Sequence, residues 1–246
     1  MQKTALVIPA HNEENRLDLN ACLQLLADNP GLVLCFVNDA SDDGTEKMLR
    51  RFTESARGRA YLISLARNEG KAQAVRAGMN FMLKEMPDCG WLGFWDADFS
   101  TPAADMPLFR AAMNSCPDRT AVIMGSRIRR LGSSIRRNFL RHLLGRCFAT
   151  AASLTLDAPV YDTQCGAKFF RRTAAEPLFA EPFLTRWLFD VELLARLRAA
   201  RGPDALVRSA MELPLENWES KAGSKLRLAD FIRAPIELLR IRRKYR

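Results

Sequence analysis

The 246-residue chain has no apolar run approaching the ~18 residues that a membrane-spanning helix needs. Its six cysteines include no CxxC pair, and neither of its two histidines, His11 and His142, stands at a ligand spacing from a cysteine. That pattern argues against a Cys/His zinc site and against a disulfide framework, and leaves reduced thiols in a core or lining a site. The opening residues MQKTALVIPA pass straight into an apolar strand, so neither a secretory leader nor a membrane anchor is expected and the cytoplasm is the expected compartment. No internal repeat and no low-complexity segment interrupts the chain. It also lacks the interleaved aromatic and basic residues of a base-stacking surface, which disfavours a nucleic-acid partner. A glycine-rich GxGxR-like loop near the N-terminus is missing too, which disfavours nucleotidyl transfer.

What is present is an ordinary globular composition, 48% hydrophobic and 26% charged, with a net charge of +9 that is unevenly placed. Seven arginines lie between Arg127 and Arg146, and five basic residues occupy positions 240 to 246. Such clusters attract phosphates, whether on a nucleotide, a lipid or a nucleic acid.

Along the chain, TALVIPA (4–10) is a short β-branched run that suits a buried strand. Leu19, Cys22, Leu23 and Leu26 then recur at helical spacing up to Pro30 and Gly31. LVLCFVND predicts a second strand, 45–55 a helix, AYLISL a third strand, and KAQAVRAGMNFMLKEM a helix. WLGFW, a helix over 103–115, and TAVIMGSR continue the alternation. Strand followed by helix, repeated, implies an α/β fold with a mostly parallel sheet. Beyond Arg127 the expectations are a helix over 134–157, a turn into a strand at DTQCGAKFF, a helix at WLFDVELLARLRAARG, and a last strand at ALVRSAMELPL.

Ligands of such sheets sit outside the C-terminal strand ends. Five polar exits follow the apolar runs: Pro9-Ala10-His11-Asn12-Glu13, Asn38-Asp39-Ala40-Ser41, Arg67-Asn68-Glu69-Gly70-Lys71, Asp96-Ala97-Asp98 and Gly125-Ser126-Arg127. All five are expected at one rim. Asp96 and Asp98, leaving a strand one residue apart, can point to the same side and seat a hard divalent cation that keeps positions open for phosphates. They could equally cap the helix that starts near Ser100. Asp39 could accept from a base or ribose, or close an Asx turn. Lys71, after Gly70 at a helix start, suits a phosphate contact or a solvated surface.

PAHNEE, NDASDDGT, NEGKAQAVRAG, DADFSTP and GSR, in this order, resemble family 2 glycosyltransferases of the GT-A fold, a three-layer fold with a mostly parallel central sheet. DTQCGAKFF, RWLFDVELL and NWESKAGSKL look most like the branch that makes dolichyl-phosphate or polyprenyl-phosphate glucose and mannose. The resemblance runs from about residue 4 to 230. It implies that Pro9, Ala10, His11, Glu13 and Asp39 hold the nucleotide, with Gly70 and Lys71 near its phosphates. It implies a Mg²⁺ or Mn²⁺ site at Asp96 and Asp98, with Ser100 where some relatives supply a third ligand. It places Arg127, Cys165, Gly166 and Lys168 near the sugar and the acceptor phosphate, Ser224 and Lys225 near phosphates, and Asp190 either in a structural role or orienting the sugar. Three positions depart from the family pattern: Asn38 replaces the first acid of a DD pair, Ala72 the glycine of GKG, and His11 a frequent tyrosine.

The implied reaction is an inverting, metal-dependent transfer of a hexose, glucose first, from a nucleotide-diphosphate sugar such as UDP-glucose to polyprenyl phosphate. A soluble family 2 enzyme acting on a saccharide hydroxyl is the alternative, and a non-catalytic nucleotide or nucleic-acid binder is more remote. A phosphate acceptor is already ionised and needs positioning, whereas a hydroxyl needs a general base. The arginines on the acceptor side favour the phosphate. Residues 1–222 are expected to form the catalytic domain, and 223–246 a basic amphipathic helix. Leu228, Phe231, Ile232, Ile236 and Leu239 on one face of that helix would lie on the cytoplasmic face of a membrane, or pack on the domain.

Overall fold

Leu32–Asn38 is buried at every position and Thr4–Ala10 at all but one, the burial of strands covered on both faces. Alternation sorts their side chains: Ala5 and Val7 enter one core, and Leu6 and Ile8 enter another on the opposite face. The computed structural model describes residues 3–56, 58–136, 139–219 and 228–246. Its first half runs β1 (Thr4–Ala10), α1 (Leu19–Asp28), β2 (Leu32–Asn38), α2 (Thr45–Ser55), β3 (Ala60–Ser64), α3 (Lys71–Glu85), β4 (Trp91–Trp95), a 3-10 turn (Ala103–Asp105), α4 (Met106–Ser115) and β5 (Val122–Ser126). These are the elements the periodicity predicts.

The second half comprises β6 (Ser134–Arg136), α5 (Phe139–Leu156), β7 (Ala167–Arg171), α6 (Arg172–Ala180), α7 (Phe189–Arg201), α8 (Ala205–Ser209), β8 (Ala210–Pro214), β9 (Asn217–Glu219) and α9 (Leu228–Lys244). Two expectations are corrected here. Residues 134–136 are not helical but pair in parallel with β9, Ile135 opposite Trp218; only this distant partner makes them a strand. The expected strand at 205–215 is split, because Ala205, Leu206 and Ser209 are buried at helical spacing while Val207 is exposed, and pairing with β5 begins at Ala210.

The main sheet has the order β3-β2-β1-β4-β7-β5-β8, parallel except where β7 runs antiparallel between β4 and β5. Helices α1, α2 and α4 cover one face; α3, α5, α6, α7 and α9 cover the other. The fold is therefore the expected three-layer α/β arrangement. The chain winds outward from β1 through β2 to β3 and then returns to place β4 on the other flank of β1. At that reversal the ends of β1 and β4 lie side by side, the position at which sheets of this kind form a ligand crevice.

Candidate active site

The apolar segment WLGFW explains why two acids can be held side by side. Trp95, fully buried, stacks edge-on against Phe109 (5.2 Å) and Phe169 (6.2 Å), and its Nε1 donates to the Thr101 carbonyl (2.8 Å). The strand end is thereby fixed one residue before Asp96, and the turn that follows is closed by Phe99 N–H donating to Asp96 O (3.1 Å), with Phe99 at φ 48°. Asp98 accepts the Ser100 amide (2.9 Å). Asp96 rests on β7: its amide donates to Gly166 O (3.0 Å), and a Cβ on Gly166 would stand 2.1 Å from Asp96 Oδ2. Both carboxylates keep contact with water.

Each acid faces a cation. Lys71 Nζ lies 2.5 Å from Asp96 Oδ1, and Arg16 reaches Asp98 Oδ2 at 3.5 Å and Glu13 Oε1 at 3.5 Å. Burial works against the charge of Lys71, but Asp96 and then Asp190 outweigh it and hold its pKa above the ordinary lysine value. Two carboxylates partly open to water, backed by a glycine cradle and balanced by flexible side chains, form a hard-oxygen donor set that fits Mg²⁺ or Mn²⁺ with positions left for water and phosphate oxygens. Among the described residues no third His, Cys, Asp or Glu joins them.

On the other side of the crevice the ends of β1, β2 and β3 are laced together. The Asp39 carboxylate accepts the amides of Glu69 (2.7 Å) and Gly70 (2.8 Å), Gly70 being at φ 87°. His11 Nδ1 donates to the Asp39 carbonyl (2.9 Å), so its Nε2 accepts from Asn68 Nδ2 (3.0 Å), and Asn68 Oδ1 accepts from Arg186 Nη2 (2.9 Å). Asp39 N–H closes onto Ala10 O (2.8 Å) beside Pro9, and Glu13 N–H donates to Thr45 Oγ1 (2.8 Å). Asn38 uses its side chain on the Ser41 amide and on Glu46.

The fifth exit is built differently. Arg127 is clamped by Asp162 through Nε (2.6 Å), Nη2 (2.7 Å) and its own amide (3.0 Å), with its Cζ 5.2 Å from the centre of the Trp218 ring. Glu212 in turn accepts the Tyr161 and Asp162 amides and the Ser126 hydroxyl. Asp162 holds the pKa of Arg127 above its ordinary value despite burial, so its charge is permanent there. Lys168 and Asp190 form a pair beneath the cleft, 1% and 4% exposed, with Lys168 Nζ on Asp190 Oδ1 (2.6 Å) and on the Cys165 carbonyl. Burial pushes Asp190 up, against the pull of Lys168 and Lys71. Cys165 is also pushed up by burial, with Arg127 opposing, which makes it a protonated lining thiol.

Four of the five exits are thus tied directly to one another or to the acid pair, whereas Arg127 is tied to Asp162. Ser224 and Lys225 lie outside the described residues. Arg16, Asn68, Asp162 and Arg186 were not among the candidate residues, although the last three fall inside stretches singled out in the sequence; Arg186 opens the very segment RWLFD that carries Asp190.

The family profile described as glycosyl transferase family 2 matches residues 5–179. A dolichyl-phosphate beta-glucosyltransferase of Drosophila melanogaster is 32% identical over 239 residues, 90% of this chain and 68% of that protein. Its Homo sapiens counterpart is 29% identical over 238 residues, 92% and 70%. Among solved structures, glucosyl-3-phosphoglycerate synthase from Mycobacterium tuberculosis in complex with UDP superposes with a TM-score of 0.67 at 18% identity, covering 98% of this chain and 80% of that one. The same synthase with Mn²⁺, UDP and glucosyl-3-phosphoglycerate gives 0.63. Taken with the three-layer sheet and its order of strands, the profile match places this chain in glycosyl transferase family 2, as a glycosyltransferase of the GT-A fold.

Proposed function

We propose that the protein transfers glucose from UDP-glucose to a dolichyl or polyprenyl phosphate, with inversion at the anomeric carbon, while resting on the cytoplasmic face of a membrane. The observation that carries this reading is the seating of Asp96 and Asp98 in the crevice opposite the laced ends of β1, β2 and β3. The dolichyl-phosphate beta-glucosyltransferases that resemble the chain over most of its length support the sugar and the acceptor. The solved relatives with Mn²⁺ and UDP-glucose support the donor class and the metal.

In this reading the ends of β1 and β2, with Pro9, Ala10, His11, Glu13 and Asp39, face the nucleoside, and Lys71 and Arg186 face its diphosphate. Asp96 and Asp98 would hold Mg²⁺ or Mn²⁺, which when bound neutralises charge on the departing diphosphate. An acceptor phosphate oxygen attacks C1, the C1–O bond to the diphosphate breaks, and UDP leaves with the electron pair. The acceptor is already an anion, so no proton has to be removed. Among the described residues the cleft acids agree with that: Asp96 and Asp98 are each paired with a cation, and Asp190 is buried on Lys168. Arg127, fixed by Asp162, supplies a permanent positive charge near the transferred group.

Access to a lipid comes from the outer face of α9. Ile236 and Leu239 are 62% and 56% exposed there, beside exposed Arg233, Arg240, Arg243 and Lys244, while Leu143 and Leu154 of neighbouring α5 are also exposed. Each basic residue at an anionic surface contributes about 1 kcal/mol, enough in sum for reversible attachment. Among the described residues no helix is long and apolar enough to cross a membrane.

The test is incubation of the purified protein with radiolabelled UDP-glucose, Mn²⁺ or Mg²⁺, and either undecaprenyl or dolichyl phosphate or a set of saccharides. Label should move into the lipid fraction, stop with EDTA, and fall by at least ~10²-fold in Asp98→Ala. Label found only in saccharides, or undiminished turnover in Asp98→Ala, rejects the reading.

A further inference from the structure

One buried polar network takes no part in that mechanism. Glu192 and Arg196 stand one turn apart on α7, both buried. Arg196 donates to Glu192 Oε1 (2.8 Å from Nη2) and to three carbonyls, Leu178 (2.9 Å), Glu181 (2.8 Å) and Pro182 (2.7 Å). The other oxygen of Glu192 accepts the Leu184 amide (2.9 Å). These backbone partners run from the last turn of α6 at Leu178 along the segment that leaves the helix and, two residues beyond Leu184, presents Arg186.

The end of α6 and the segment after it are also held by α3, where Asn80 Nδ2 donates to Phe179 O (3.0 Å), Gln73 Nε2 to Phe183 O (3.4 Å), and Arg76 to Ala180 O. So held, it brings Arg186 to Asn68 and lays the guanidinium over Gly70 so closely that a Cβ there would meet Arg186 Nε at 2.8 Å. From Asn68 the chain of hydrogen bonds continues through His11 to Asp39, at the ends of β1 and β2.

The network is completed from the far end of the sequence. Tyr245 Oη donates to Glu192 Oε1 (2.9 Å) and accepts from Arg196 Nε (3.2 Å). The residues that carry it there are the inward side of α9, Ala234, Leu238 and Ile241, all buried in the core that also contains α7. Arg242 adds a bond to the Leu154 carbonyl of α5 (2.9 Å).

We propose that Tyr245 is a positioning residue for the donor pocket. It fixes the Glu192–Arg196 pair, the pair fixes the backbone of 178–184, and that backbone sets Arg186 against Asn68 and Gly70 on the nucleotide side of the cleft. The inference rests on the cleft being a nucleotide-sugar site. It makes the C-terminal helix part of that site as well as an attachment surface: its outer face is free for a membrane while its inner face holds a donor-side loop. Loops of this kind sit at the low end of local stability, so one half-buried, charge-assisted hydrogen bond behind them changes how firmly they are held.

Tyr245→Phe keeps the ring and removes only the hydroxyl; a chain ending at Lys244 removes the contact altogether. Amide exchange by mass spectrometry and calorimetric titration with UDP in Mn²⁺ are the measurements. Exchange over 181–188 should rise, and UDP affinity should weaken by roughly three- to tenfold in Tyr245→Phe and further in the shortened chain. In turnover the loss should appear in KM for UDP-glucose while kcat at saturating donor is kept. Unchanged local exchange and unchanged UDP affinity in both variants overturn the proposal, as does a fall in Tm with no change at 181–188. A wild-type protein that binds no nucleotide removes the donor pocket itself, whereas equal binding by wild type and variants removes only the coupling.

Discussion

Gly166 illustrates how little space the acid pair leaves. Its Cα lies under the Asp96 carboxylate, and the missing Cβ would overlap Oδ2 at 2.1 Å and Cγ at 2.2 Å. Gly166→Ala therefore has to turn Asp96 away from the position it shares with Lys71. A displacement of about 1 Å at reacting groups costs on the order of 10²-fold in rate. The expected outcome is a loss of that size in glycosyl transfer with Tm within a few degrees of wild type, checked by turnover and thermal unfolding side by side. At this scale the sequence was informative where chemistry is written in residue type. The two aspartates, Asp39 and Lys71 were all legible from their place after apolar runs. Gly166 was singled out, but for the acceptor; its packing against Asp96 depends on β7 lying next to β4, which no local pattern contains. Arg16 and Arg186 were passed over for the same reason: arginines are common on surfaces, and only their distances to Asp98 and Asn68 distinguish them.

Among the elements, α4 begins with a cost. Asp105 stands at its start without capping the helix, and its Oδ2 is buried with no hydrogen-bond partner among the described residues. Burial first, and then Glu216, push its pKa to about 6. The folded protein thus holds a proton that the unfolded chain releases near pH 4. Stability contributed by this group is present below that pH, falls as pH rises toward about 6, and stays lower above it. Asp105→Asn should flatten this dependence and stabilise the protein at neutral pH by about 1–2 kcal/mol, a value reduced to allow for partial contact with water. Urea midpoints of both proteins between pH 4 and 7 check it. Element by element, β1 and β2 were readable as short unbroken apolar runs, and α3 because apolar residues recur through it at helical spacing. Residues 134–136 and 205–209 were misassigned because three to five residues hold too little periodicity, and their conformation follows from β9 and from the packing of Leu206.

For the whole molecule, α9 joins two demands. Ala234, Leu238 and Ile241 lock it onto α5 and α7, and the opposite side carries Ile236, Leu239 and four exposed bases. Of the apolar face expected from the sequence, Leu228, Phe231 and Ile232 fall among side chains outside the description. Replacing both Ile236 and Leu239 with Glu should lower association with phosphatidylserine vesicles by at least roughly tenfold, because two exposed apolar side chains are lost and two repelled charges gained; vesicle sedimentation measures it. By itself, the order of apolar runs and polar exits determined the α/β class, the parallel half of the sheet, and which polar residues follow the strand ends. These are local properties, set by side-chain period and by the direction a strand must leave the sheet. Only the tertiary structure decided that β7 enters between β4 and β5, that Asp162 claims Arg127, that Lys168 and Asp190 pair below the strand ends, and that the last tyrosine reaches the Glu192–Arg196 pair of α7. Those contacts join residues from 22 to more than 50 positions apart, and their partners are chosen by how the layers close rather than by anything the neighbouring sequence can encode.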